Sequence, residues 1–184
     1  GININLNDTG IADVVLGGYT HKVSNIENVT GTTGSDTIEG DSANNILNAV
    51  SGTNDTLSYS NASSGVYVNL SSSQITTDIS GDSSVDGILA NTAQGVVDNS
   101  EIGVDTISNF DDVIGGAGAD TIIGNSDANT LTGGIGNDLL IGGDGADKFI
   151  GGIDNDTVSY ILDTSGVTVK LRSATGTDGW GKID

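Results

Sequence analysis

The chain has 184 residues, 29 of them Gly, no Pro, Cys or Met, and a formal net charge of −20. Zero Cys excludes a disulfide frame and a thiolate metal site, five basic residues against 25 acidic ones exclude a phosphate-binding nucleic-acid surface, and no apolar run reaches the length of a membrane-spanning helix. Aromatic residues make up only 4%, too few for a large globular core, and a compact body this acidic repels itself unless cations are held inside it.

The sequence starts at Gly1 rather than Met, shows no leader peptide, and is read as a segment of a longer tandem array. Residues 1–22 read as the tail of a preceding repeat unit, opening on the strand-like run GININL. Residues 23–58 hold a first short block with the units GTTGSDTIE, GDSANNILN and AVSGTNDTLS, the last one residue longer. Position six of these units is Asp36, Asn45 and Asp55, and position eight is Ile38, Leu47 and Leu57. Residues 59–106 read as linker strands carrying an insertion at 73–105, with apolar and polar residues alternating over 65–71. Asp78, Asp82 and Asp86 recur every four residues in the insertion, but Gly81, Gly87 and the Ser content predict a loop or hairpin rather than a helix.

Residues 107–159 form the main block. Five units of nine follow without a gap from 115: GGAGADTII, GNSDANTLT, GGIGNDLLI, GGDGADKFI and GGIDNDTVS. Position six reads Asp120, Asn129, Asp138, Asp147 and Asp156; position eight reads Ile122, Leu131, Leu140, Phe149 and Val158. Residues 160–184 read as linker strands of a next unit, with alternation over 166–172 and a single Trp180. A longer repeat encloses both blocks. VSNIENVTG at 23–31 matches ISNFDDVIG at 107–115, DTLSYSNASSGVYVNLSS at 55–72 matches DTVSYILDTSGVTVKLRS at 156–173, and GININL matches GVYVNL at 65–70.

A nine-residue GG-x-G-x-D-x-U-x period, with U a large apolar residue, resembles the repeats-in-toxin (RTX) family of calcium-binding nonapeptide repeats. The motif is sharp over 115–159 and degenerate over 31–58. The resemblance implies an all-β fold, a parallel β-roll or right-handed β-solenoid in two blocks joined by strand-rich linkers into an elongated body. It also implies several bound Ca²⁺ ions, which suit flexible cages of six to eight oxygens. Glycines allow the tight turns that point carbonyl oxygens inward, Asp at position six adds a carboxylate, and position eight packs in the core.

By the family pattern one ion takes the Gly116 and Gly118 carbonyls, Asp120, the Gly133 and Ile135 carbonyls, and Asp138. A second takes the Gly134 and Gly136 carbonyls, Asp138, the Gly151 and Ile153 carbonyls, and Asp156. A third, on the opposite edge, takes Asn125, Asp127 and Asn129 with Gly142, Asp144 and Asp147, and the neutral Asn129 predicts weaker binding. Asp36 and Asp55 suggest a site in the first block, its carbonyl geometry disturbed by the extra residue near 49–52. Glu27 and Asp111, in the position-six register one unit ahead of each block, read as a partial site or a cap.

His21 is the only histidine, so a three-histidine zinc site is excluded and a Ser-His-Asp triad has no supporting motif. The sequence therefore predicts no enzyme. The reading it favours is a calcium-dependent structural spacer in a secreted, cell-surface bacterial protein of adhesin or surface-layer type. Such a protein would leave by type I secretion and fold outside on meeting calcium. The partners expected are calcium and neighbouring repeats of the same chain, with no nucleic acid and no membrane insertion by this segment; self-assembly or a glycan surface ligand stays open. Two other readings also stay open: a C-terminal calcium-binding accessory domain of a secreted enzyme or pore-forming toxin, and a glycan-binding module using Trp180 and the insertion.

Overall fold

Nine residues suffice for one tight turn and one three-residue strand, so successive strands alternate between two layers and pair two units apart. A computed structural model of the protein describes residues 1–6, 12–16, 19–52, 54–76, 87–96, 101–164 and 166–168. Every element among them is a strand. The N-terminal strands are β1 (Asn3–Asn5), β2 (Ala12–Leu16) and β3 (Tyr19–Val23), followed by β4 (Asn28–Thr30), β5 (Thr37–Glu39), β6 (Ile46–Asn48) and β7 (Thr56–Ser58). The middle holds β8 (Val66–Asn69), β9 (Thr92–Gly95) and β10 (Val104–Ser108). The main block supplies β11 (Asp112–Ile114), β12 (Thr121–Ile123), β13 (Thr130–Ile135), β14 (Leu139–Ile141), β15 (Lys148–Ile153) and β16 (Thr157–Val158).

These strands form two eight-stranded sheets. The first runs β15-β13-β11-β7-β5-β1-β2-β3 and the second β16-β14-β12-β8-β9-β10-β6-β4. Repeat strands pair in parallel with position eight in register: Ile122 opposite Leu140, Leu131 opposite Phe149, Leu140 opposite Val158. The fold is the all-β parallel roll that the nonapeptide period predicts. In the first block Ile38 lies opposite Leu57, and the additional residue between them is absorbed in a turn where Val50 and Asn54 take φ of 74° and 63°.

The blocks are not separated by a linker. β11 pairs directly with β7 and β10 with β6, so the second block continues the first. β8 pairs in parallel with β12, and β9 fills the space between β8 and β10 as an antiparallel strand. The segment read as an insertion thus contributes β9 and the start of β10 to the second sheet. Part of it also covers that sheet's outer face, where Ile75 and Ile88 pack against Ile123 and Ile141. Asp78, Asp82 and Asp86 lie outside the described residues, as do Trp180 and most of 166–172.

Position eight fills the core between the sheets. Ile38, Leu47, Leu57, Ile122, Leu131 and Leu140 are fully buried in one continuous cluster. Truncating such a side chain to Ala costs about 2–5 kcal/mol. Turn closure depends on position four, where Gly136 takes φ +129° and Asp154 adopts the same left-handed region at φ 86°. A Cβ on Gly136 would overlap the carbonyl oxygen of Gly118 one turn away. Gly136→Ala is therefore expected to destabilise by at least about 1–2 kcal/mol, lowering the thermal midpoint by roughly 2–8 °C. Gly166→Ala, where an added Cβ meets nothing within 4 Å, should leave it nearly unchanged. Thermal melts of both variants in calcium check this; equal midpoints would contradict it.

Candidate metal centre

Position six stands where each turn enters its strand, so the pairing of strands 18 residues apart stacks these side chains. On the edge leading into the second sheet, the Asp120 N–H donates to Asp138 Oδ1 at 2.9 Å and the Asp138 N–H to Asp156 Oδ1 at 3.2 Å. Asp120 itself accepts from the Val66 N–H at 2.8 Å and, within its own turn, from the Gly116 N–H at 2.9 Å. On the opposite edge the Asn129 N–H donates to Asp147 Oδ1 at 3.0 Å, and Asn129 Oδ1 accepts from the Asn125 N–H at 2.9 Å. Asn129 Nδ2 donates to the Asp111 carbonyl at 2.6 Å, a contact that an Asp could not make.

The same ladder runs through the first block. The Ile2 N–H donates to Asp36 Oδ1 at 2.7 Å, the Asp36 N–H to Asp55 Oδ1 at 2.8 Å, and the Asp55 N–H to Asp111 Oδ2 at 3.0 Å. One edge is thus a continuous column of Asp36, Asp55, Asp111, Asn129 and Asp147. Asp111 sits in its middle, joining the two blocks, rather than ahead of one of them. On the other edge Asp105 stands next to Asn45: its Oδ1 accepts from the Asn45 N–H at 2.9 Å and its Oδ2 from the Tyr59 hydroxyl at 2.7 Å. The sequence reading missed Asp105, yet a signal was there. Asp105 stands two residues before the apolar Ile107, the spacing of positions six and eight.

The arrangement fits a hard cation on two observations. Asp138 Oδ2 and Asp55 Oδ2 are buried with no hydrogen-bond partner. Such atoms cost about 1–3 kcal/mol or more when left unsatisfied, and a cation would satisfy them. Second, the turn glycines leave a cradle that side chains would fill. A Cβ on Gly133 would lie 2.7 Å from the Gly151 carbonyl oxygen and overlap Asp138 Oδ2. The carbonyls of Gly116 and Gly118 face Gly134 and Gly136, and those of Asn125 and Asp127 face Gly143 and Gly145. Among the described residues no three acidic or histidine side chains gather on one point. Any ion must therefore draw on backbone carbonyls as well as the Asp pairs, which suits Ca²⁺. Two of the carbonyls expected as ligands also accept amide bonds, Gly116 from Ile135 at 3.0 Å and Ile153 from Gly136 at 3.1 Å, leaving one lone pair each.

Burial pushes Asp120 up to about 6, with the neighbouring Asp138 charge adding to the rise and the Gly116 and Val66 amides opposing it. Burial likewise raises Asp138, Asp147 and Asp55, and takes Asp105 up to about 7. Asp36 goes the other way: burial raises it, but the Thr32 and Ile2 hydrogen bonds outweigh that and hold it below the usual range. A carboxyl with a raised folded pKa stabilises the fold fully below its unfolded value near 4 and loses that contribution as pH climbs through the folded value. Asp36 contributes the opposite, at pH above its unfolded value. In chelator the far-UV circular dichroism β-signal should thus be stronger near pH 5 than near pH 8, because protons remove the buried charge at Asp120 and Asp105. A signal that is equal or weaker near pH 5 would contradict this.

A family model described as the RTX calcium-binding nonapeptide repeat (4 copies) matches residues 24–57, 103–140 and 123–158. No curated protein matched the chain. The matched stretches are those whose turns carry the stacked position-six residues, and the second begins at Gly103, so it takes in Asp105 and Asp111 along with the sharp repeats. Through these stretches the chain carries RTX calcium-binding nonapeptide repeats.

Proposed function

We propose that the chain is a structural spacer module of a secreted or cell-surface bacterial RTX protein of adhesin or surface-layer type, exported by type I secretion and folded by calcium outside the cell. The carrying observation is the buried, unpartnered Oδ2 of Asp138. Asp138 stands between Asp120 and Asp156, so it would serve the ion on either side. In this proposal the first ion uses Asp120, Asp138 and the carbonyls of Gly116, Gly118, Gly133 and Ile135. The second uses Asp138, Asp156 and the carbonyls of Gly134, Gly136, Gly151 and Ile153. The third lies among Asn125, Asp127, Asn129, Gly142, Asp144 and Asp147. Asp55 Oδ2, equally buried and unpartnered, supports a further ion beside Asp36.

In this reading calcium supplies the positive charge that lets the stacked carboxylates ionise together, and its binding energy becomes folding energy. Before export, where calcium is scarce, repulsion among the acids and the thin core keep the segment open. Among the described residues no helix is long and apolar enough to cross a membrane. The repeated large units favour a spacer over an accessory domain, since each adds length along the same axis.

Far-UV circular dichroism during a calcium titration from a chelated start at neutral pH, with magnesium as control, tests the proposal. A cooperative rise in β-signal with calcium alone is expected. Asp138→Ala, which removes a carboxylate shared by two sites, should raise the midpoint more than Asp120→Ala or Asp156→Ala. A lost charge-assisted contact of about 1.5–3 kcal/mol corresponds to roughly ten- to hundredfold in calcium. A chain fully folded in chelator and indifferent to calcium would overturn the reading.

A further inference from the structure

The position-six acids differ in what holds their second oxygen. Asp55 and Asp138 each give Oδ1 to an amide of the neighbouring turn and keep Oδ2 buried with no hydrogen-bond partner. Asp105 also gives Oδ1 to an amide, that of Asn45, but its Oδ2 accepts from the Tyr59 hydroxyl at 2.7 Å. Asp105 is 0% exposed and Tyr59 1%. The atom that a cation would satisfy at Asp55 and Asp138 is already satisfied at Asp105. The turn ahead of it differs too. A glycine pair opens the turns that lead to Asp120, Asp138, Asp147 and Asp156, whereas Ser100 and Glu101 stand at those two positions ahead of Asp105. The Glu101 carboxylate is turned to the Ser63 and Ser64 amides, at 2.9 Å each.

Asp105 occupies the seam between the blocks. It lies on β10, which pairs with β6 and leads into β11, which pairs with β7. Asn45 stands at the entry to β6 and Tyr59 at the exit from β7, so one carboxyl ties both last strands of the first block to the strand that leads into the second. Three stretches face it: Asn45, Tyr59, and Asp41 in the turn after β5. Asp41 adds a like charge, and Glu39 at the end of β5 does the same to Tyr59. Asp41 is itself held by the Ala43 N–H and Asn45 Nδ2, at 2.9 and 3.0 Å. None of these facing groups is basic. Burial pushes Asp105 up to about 7, with the Asn45 and Tyr59 bonds opposing the rise and Asp41 adding to it.

We propose that Asp105 and Tyr59 form a metal-free joint between the two blocks, in which a proton on the Asp105 carboxyl takes the part that a cation takes at the other position-six acids. With the proton on Oδ2, the carboxylic O–H donates to the Tyr59 oxygen, Oδ1 keeps the Asn45 amide, and no charge is buried. Without it, a buried carboxylate faces Asp41 and the seam is weakened. The contribution is full below the unfolded value of about 4 and is lost as pH climbs through the folded value of about 7. The contrast with calcium rests on the proposed calcium function; the proton control does not.

Carbon NMR of the Asp side-chain carboxyls over a pH series tests this, on the full chain folded in saturating calcium. Backbone correlations assign Asp105 in the unmodified protein, and Asp105→Asn removes its signal. The Asp105 midpoint is expected at about 7. Tyr59→Phe deletes a bond that lowers it and should move it further up. Tenfold more calcium should leave it in place, whereas an ion competing with the proton would pull it down by up to about one pH unit. In thermal melts the folding constant of the unmodified chain should fall, relative to Asp105→Asn, by up to about tenfold per pH unit between pH 5 and 7 and then level off. An Asp105 midpoint in the usual carboxyl range, one unmoved by Tyr59→Phe, or one that falls with calcium overturns the joint. A chain that folds without calcium overturns the calcium reading alone, and the Asp105 midpoint still decides the joint.

Discussion

Burying carboxylates one above another is the constraint on which this structure turns. Parallel pairing of strands 18 residues apart forces position six of every second unit into the same column, and position six is acidic in most of them. Each carboxylate keeps one oxygen on the amide of the preceding turn, so the column is hydrogen-bonded as well as charged. These bonds orient the side chains but do not neutralise them, and burial pushes most of the acids upward. The column is ordered and electrostatically unfinished at once, and a cation between turns is the component that completes it.

The rest of the fold follows from having so little else to hold it. The core is a thin layer of mostly aliphatic residues between two sheets, with Tyr59 and Phe110 among them. In a solenoid the energy is a sum of such nearest-neighbour terms, and a unit with one inward side chain contributes little alone. A metal shared by two turns adds a second nearest-neighbour term along the same axis. Packing and ion binding therefore favour the same register, and neither tolerates a slip that leaves the other intact.

Much of this was legible in the residues. The nine-residue return of Asp120, Asn129, Asp138, Asp147 and Asp156, with an apolar residue two places on, specifies strand length, strand face and the partner two units away. Other features were not legible, for a physical reason. Local period tells which residues are equivalent but not which separate stretches become neighbours, so the placement of β11 against β7, bypassing 59–106, was out of reach. The same gap hid Asp105, whose D-T-I triplet has Gly103 at position four but no glycine pair ahead of it. Its role appears only when β10 lies against β6 and the Tyr59 hydroxyl reaches it. Segment 73–105 looked foreign because β9 pairs antiparallel on both sides, which leaves no nine-residue signature.

The antiparallel modules also explain how two blocks of unequal repeat number make sheets of equal length. β8–β10 add three strands to the second sheet where the first has only β11 between the blocks, which taken alone would leave the sheets out of step. β1–β3 add three strands to the first sheet at the other end, and the two sheets finish with eight strands each. The balance is reached over two modules and not within either one. The columns of acids follow the same rule. Glu27, Asn45 and Asp105 line one edge up to the second module and Asp120 resumes it beyond β8, so each module interrupts one column while the other runs through unbroken from Asp36 to Asp147. The continuous column carries the connection between blocks, which is why its junction residues, Asp55 and Asp111, keep the same amide-to-carboxylate bond as the repeats on either side.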